Sequence, residues 1–120
     1  MKVLVIDDNQ SITKMLEQML KLEDYEVIVT NGGRNGLTLI ETSNFDAIIL
    51  DLSMPEFSGL DIIDSLEKSG KINEVKIIVM TASVMTDGEL NDLIKRGVRT
   101  CLKKPVEPDI LINILQNISA

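Results

Sequence analysis

Val3-Leu4-Val5-Ile6-Asp7-Asp8 is a run of four apolar residues that stops abruptly at two aspartates. The same design recurs further along: Ala47-Ile48-Ile49-Leu50 ends at Asp51, Ile77-Ile78-Val79-Met80 at Thr81, and Thr100-Cys101-Leu102 leads to Lys104-Pro105. Continuous apolar runs of this length, bounded by polar residues and separated by amphipathic stretches, predict buried parallel strands. In an open parallel sheet the carboxyl ends of the strands share one edge, where ligands bind. Three carboxylates, a hydroxyl and an ammonium are therefore expected to converge there.

Between these runs the period changes to that of a helix. Ile12, Met15, Leu16, Met19 and Leu20 predict a first helix with Asn9 or Ser11 as its cap. Val27 to Val29 read as a second strand, and Gly32-Gly33 opens a helix carrying Leu37 and Ile40. Leu60, Ile63 and Leu66 mark a third helix ended by Gly70, and a fourth strand runs from about Val75 to Met80. Leu90, Leu93 and Ile94 give a helix stopped by Gly97, and a short strand from Arg99 to Leu102 precedes a last helix opened by Pro108. Ile110, Leu111, Ile114, Leu115 and Ile118 form its apolar stripe, whereas Ile112 falls off the centre and is expected to be exposed or half-exposed. Five strands alternating with five helices predict an α/β fold with right-handed crossovers and helices on both faces of the sheet.

The edge residues have a shared chemistry. Carboxylates gathered there repel each other by about 4 kcal/mol per pair at about 4 Å with an effective dielectric near 20, so a cation is needed among them. Oxygen ligands without Cys or His partners favour Mg²⁺, with Mn²⁺ as the substitute, over zinc. A carboxylate beside such a metal can attack a phosphoryl group and carry it as an acyl phosphate. Thr81 and Lys104 could then hydrogen-bond and neutralise the phosphoryl oxygens. The residue before a proline is pushed to an extended conformation, which aims Lys104 along the edge; strand alternation points its competitor Lys103 the other way.

The segments V-L-V-I-D-D-N, D-A-I-I-L-D-L-S-M-P-E-F-S-G, I-I-V-M-T-A-S and G-V-R-T-C-L-K-K-P-V, in this order and spacing, resemble the receiver domain of the two-component response-regulator family. The resemblance covers essentially the whole chain. It implies a flavodoxin-like, doubly wound (βα)5 fold with strand order 2-1-3-4-5. It implies Asp51 as phospho-acceptor, Asp7 and Asp8 as the acid pair for Mg²⁺, Thr81 as switch hydroxyl and Lys104 as phosphoryl contact. By the same comparison the Ser53 carbonyl is a metal ligand, Pro55 and Gly59 shape the loop after Asp51, and the Lys104-Pro105 bond is cis. Implied partners are a sensor histidine kinase or phosphotransfer protein, or a small acyl-phosphate donor. A downstream protein target would meet the face containing Arg99, Val106 and Ile112.

Two positions depart from the pattern. Cys101 stands where the family usually has Tyr or Phe, so an aromatic ring cannot toggle there; a small buried filler is the expected role. Ser53 and Ser83 flank the path of hydrolytic water and neither shields the acyl phosphate strongly. Two other classes compete. An aspartyl-phosphate phosphohydrolase of the haloacid-dehalogenase type carries a second acid two residues after its nucleophile, where this chain has Ser53. A flavin carrier would need a Ser/Thr/Gly-rich cradle where Asp7-Asp8-Asn9-Gln10 stands, and aromatics beyond Tyr25, Phe45 and Phe57.

Composition agrees. The chain of 120 residues matches one domain, 1–120, with no room for an output domain. Its net charge of −7 and lack of His argue against direct nucleic-acid binding. The lone Cys101 fits a reducing, cytoplasmic compartment, and no signal peptide or long apolar span predicts a membrane partner.

Overall fold

The apolar runs become strands because each has a helix-covered face on both sides. The computed structural model describes residues 1–82 and 85–119, with side chains through residue 118. The elements are β1 (Lys2–Ile6), α1 (Gln10–Leu22), β2 (Glu26–Thr30), α2 (Gly33–Thr42), β3 (Ala47–Asp51), α3 (Gly59–Ser69), a 3₁₀ turn (Lys71–Glu74), β4 (Ile77–Thr81), α4 (Asp87–Arg96), β5 (Thr100–Lys103) and α5 (Pro108–Ser119). All pairings are parallel and the order is β2-β1-β3-β4-β5. This is the flavodoxin-like arrangement the resemblance implies. Of the three inner strands, β3 and β4 are buried throughout and β1 from Val3 onward, while the edge strands β2 and β5 are only partly covered.

Alternation along the strands divides the core into two layers. Leu4, Ile6, Ile48, Leu50, Ile77 and Val79 pack with Ile40, Ile62, Ile63, Leu66 and Leu93 from α2, α3 and α4. Val3, Val5, Ala47, Ile49, Ile78 and Met80 pack with Leu16, Leu20, Leu111, Leu115 and Ile118 from α1 and α5. Burying a side chain of this size contributes roughly 1.5–3 kcal/mol, so the hydrophobic layers dictate the strand register and, with it, which residue ends each strand.

Local signals set the helix ends. The Asn9 side chain caps α1 by accepting from the Ser11 and Ile12 amides at 2.9 and 3.2 Å, which decides between the two candidate caps. Ser58 with Asp61, and Thr86 with Glu89, form capping boxes at α3 and α4. Gly70 and Gly97 end those helices at φ 78° and 119°, a left-handed backbone that side chains disfavour.

Some readings need correction. Met15, Leu60, Ile94 and Ile110 were expected in apolar stripes but are 47%, 42%, 47% and 47% exposed. Each lies at the margin of a stripe whose centre is Thr13-Leu16-Leu20, Ile62-Ile63-Leu66, Leu93 or Leu111-Leu115. Ile112 is half-buried, as its angle predicts. The fourth strand starts at Ile77 rather than Val75, because the 3₁₀ turn Lys71–Glu74 first buries Ile72. The fifth strand starts at Thr100, although the Arg99 amide already donates to the Ile77 carbonyl at 2.8 Å.

One close approach locks the loop after Asp51. A Cβ at Gly59 would lie 2.3 Å from the Asp51 carbonyl oxygen and 2.8 Å from the Leu52 Cα, both rigid backbone. Gly88, by contrast, has only the Thr86 hydroxyl nearby, at 3.8 Å. Gly59→Ala is therefore expected to destabilise the fold by about 1–3 kcal/mol, and Gly88→Ala to stabilise it by about 0.5–1 kcal/mol through helix propensity. Urea unfolding of the two variants checks the opposite signs.

Candidate functional site

The register aligns the strand ends, and the polar residues follow from it. Ile6 pairs with Leu50, so Asp7 and Asp51 are neighbours one step beyond; Asp51 pairs with Met80, so Thr81 comes next on β4. The Lys104 amide donates to the Thr81 carbonyl at 2.9 Å, carrying the edge across to the end of β5. Asp7, Asp51 and Thr81 are buried, Asp8 is exposed, and Lys104 is partly buried and precedes a cis proline bond.

Carboxylate oxygens of Asp7, Asp8 and Asp51 lie within 4.8 Å of one another. Among the described residues this is the one group of acidic, His or Cys side chains close enough to share a metal ion. The Lys104 ammonium donates to Asp7 Oδ2 at 2.8 Å and lies 3.4 Å from Asp51 Oδ1. Backbone amides supply the remaining order: the Asn9 N–H donates to Asp7 Oδ1 at 2.9 Å and the Ser53 N–H to Asp51 Oδ1 at 3.3 Å. Lys103, by contrast, is exposed.

Burial, and then the charge of Asp7, raise the Asp51 pKa to about 6; the Ser53 amide and Lys104 oppose that rise without cancelling it. Burial works against the Lys104 ammonium, but its hydrogen bond to Asp7 and the charges of Asp7 and Asp51 outweigh it, leaving its pKa above the ordinary lysine value. Three carboxylates facing one ammonium leave a site with spare negative charge and hard oxygen donors only. That donor set fits Mg²⁺ or Mn²⁺ and does not fit zinc.

Cys101 is half-buried on β5 opposite Val79 and packs against the layer that holds Leu93 of α4. Burial pushes its thiol pKa up, which suits an inert filler. Ser83 lies outside the described residues. Two site neighbours escaped the sequence reading. Thr13 is a buried hydroxyl on the inner face of α1, and Asn31 follows β2 at the same sheet edge, donating to the Asp7 carbonyl. A threonine in register with Leu16 and Leu20 was the available signal. The Arg34 guanidinium covers the Phe57 ring at 4.6 Å, joining the start of α2 to the loop before α3.

Comparison with known proteins bears on the fold and the family. Transcriptional regulatory protein DltR of Streptococcus agalactiae is 32% identical over 93% of this chain and 49% of its own length. The chain thus spans about half the length of the curated relatives it matches. The receiver domain of Francisella response regulator 1452 superposes with a TM-score of 0.88 at 28% identity, covering 98% of this chain and 94% of that one. TrrA of Thermotoga maritima, solved with Mg²⁺-BeF, superposes at 0.81 with 29% identity, covering 98% and 97%. Neither the phosphohydrolase nor the flavin carrier is favoured by these likenesses. No helix among the described residues is long and apolar enough to cross a membrane. Residues 3–116 match the response regulator receiver domain, and the chain belongs to that family of signalling switches.

Proposed function

We propose that Asp51 is the phospho-acceptor of this receiver and that the surrounding side chains serve its modification and readout. The observation that carries this reading is a buried Asp51 carboxylate held between the Lys104 ammonium at 3.4 Å and the Asp7-Asp8 pair. Asp8, Asp51 and the Ser53 carbonyl are the groups that would hold Mg²⁺, with Asp7 acting mainly through a water. When bound, the cation offsets repulsion among the carboxylates and the incoming phosphoryl oxygens. The presence of Mg²⁺-BeF in the TrrA structure supports the same assignment by likeness.

In the transfer, one Asp51 oxygen attacks phosphorus. The new O–P bond forms as the P–N bond of a phosphohistidine breaks, and the electron pair leaves on the imidazole nitrogen. With a small acyl phosphate as donor, the P–O bond breaks instead and a carboxylate leaves. Lys104 can exchange its contact with Asp51 for a phosphoryl oxygen without leaving Asp7, because it already spans both. Hydrolysis later returns the carboxylate, so the chain assists only its own phosphorylation and dephosphorylation.

Thr81 is the relay in this reading. Its hydroxyl moves toward the phosphoryl group and draws residues 82–86 with it, of which 83 and 84 lie outside the described residues. The helix that follows is lightly held. Leu93 is the buried residue of α4, and Arg96 ties its last turn to Asp64 and Glu67 of α3. With Cys101 in place of a ring, little apolar area changes burial, so backbone movement carries the signal to the face of Arg99, Val106 and Ile112. A sensor kinase or phosphotransfer protein supplies the phosphoryl group in the cytoplasm, and a protein target, rather than nucleic acid or membrane, reads that face.

Intact mass after incubation with Mg²⁺ and an acyl phosphate tests the proposal. One phosphoryl group should appear, be lost in Asp51→Asn and map to the Asp51 peptide; mapping to Asp7, Asp8 or Thr81 would overturn it. For the relay, amide shifts on adding Mg²⁺ and beryllofluoride should reach Arg99, Val106 and Ile112 in the wild type. In Thr81→Ala those remote shifts should shrink several-fold, and unchanged remote shifts would exclude the hydroxyl.

A further inference from the structure

The exposed Asp8 is the member of the acid cluster furthest from a strand, two residues past the end of β1 at Ile6. Its place depends on how the peptide between Asp7 and Asp8 is turned. The Asp7 N–H is fixed by the Thr30 carbonyl at 3.2 Å. The Asp7 carbonyl is fixed by a side chain, the Asn31 amide, whose Nδ2 donates to it at 2.8 Å across 24 positions of sequence. A carbonyl can only accept, so the group facing it must be the Asn31 NH₂.

The second hydrogen of that NH₂ is also committed. Asn31 Nδ2 lies 3.1 Å from Thr13 Oγ1, while the Thr13 hydroxyl donates to the Gln10 carbonyl at 3.1 Å. Thr13 is a buried polar residue in an otherwise apolar inner face of α1. Its local bond to Gln10 satisfies the hydroxyl hydrogen, and Asn31 then takes an oxygen lone pair. The donor chain therefore runs in one direction, from Asn31 to both Asp7 and Thr13, and joins three segments around the acid pair. On the far side of Asp8, the Asn9 N–H is held by Asp7 Oδ1 at 2.9 Å. Asp8 is thus pinned through the backbone group before it and the one after it.

We infer that Asn31, braced by Thr13, is a positioning residue that turns the Asp7–Asp8 peptide so that the Asp8 carboxylate faces the cation site. This rests on the Mg²⁺ reading given under Proposed function. Outer partners of metal ligands typically change affinity by about 10- to 100-fold when removed. Because Asn31 acts through one backbone carbonyl, the effect is expected at the low end of that range.

Calorimetric titration with Mg²⁺ alone tests it, alongside amide spectra of the metal-free protein. Asn31→Ala should weaken Mg²⁺ binding about tenfold. Thr13→Val should weaken it about threefold by removing the brace, and Thr13→Ser, which keeps the hydroxyl, should restore most of the affinity. In an Asp8→Asn background Asn31→Ala should add little, because the group it positions no longer bears charge; an equal loss there would mean general damage and overturn the inference. Wild-type affinity in a folded Asn31→Ala protein would overturn it too. Absence of Mg²⁺ binding in the wild type would strike at the cation reading instead. The metal-free spectra still decide the positioning claim: the Asp8 and Asn9 amide signals should move in Asn31→Ala, and unmoved signals would reject it.

Discussion

Burial of neighbouring carboxylates at the end of the sheet is the constraint around which this molecule is arranged. Asp7 and Asp51 are buried at adjacent strand ends, Asp8 stands beside them, and Lys104 answers only part of their charge. Burial first, and then the charge of Asp7, raise the Asp51 pKa from 3.8 to about 6, so its ionisation opposes folding. The stabilising contribution of the protonated form is fully present below about pH 3.8 and is lost as pH rises through about 6. At neutral pH the metal-free protein therefore holds Asp51 charged against both its burial and the charge of Asp7. On the proposed reading, a divalent cation, or a phosphoryl group accompanied by one, would relieve that cost, and this is the differential binding any two-state switch requires.

The scaffold tolerates the strain because most of it is rigid. The inner strands β3 and β4 are buried along their whole length and β1 is buried from Val3 onward, and Gly59 leaves no space between the start of α3 and the Asp51 carbonyl. Helix α4 is different: it has one buried residue and an ion-pair clamp from Arg96 to α3. Its hydrogen bond to Glu67 is the main influence that holds the Arg96 guanidinium pKa above the ordinary value; burial opposes it and Asp64 adds to it. The end of α4 that follows Thr81 is thus held by its Thr86–Glu89 capping box rather than by buried apolar side chains, the kind of segment that opens at low free-energy cost.

Much of this was legible in the chain. Val3 to Ile6, Ala47 to Leu50 and Ile77 to Met80 are too apolar to be anything but buried, and the strand-end rule then brings Lys104 to Asp7 across 97 positions. Caps at Gly70 and Gly97 were legible because the left-handed backbone there requires glycine. Stripe margins were less so, since Met15 and Ile110 satisfy a helical period while facing partly into solvent. The Arg96 clamp and the Asn31–Thr13 bridge were not legible, because polar side chains on separate elements carry no periodic signature that pairs them. Cys101 marks the limit of resemblance: the motif around it is intact, yet the residue that would swing is absent.

A carbon-detected titration of the Asp51 carboxyl measures the central constraint most directly. The account predicts an apparent pKa near 6 without metal, falling well below the ordinary carboxylate value at saturating Mg²⁺. A metal-free pKa near 4 that Mg²⁺ leaves unchanged would contradict it.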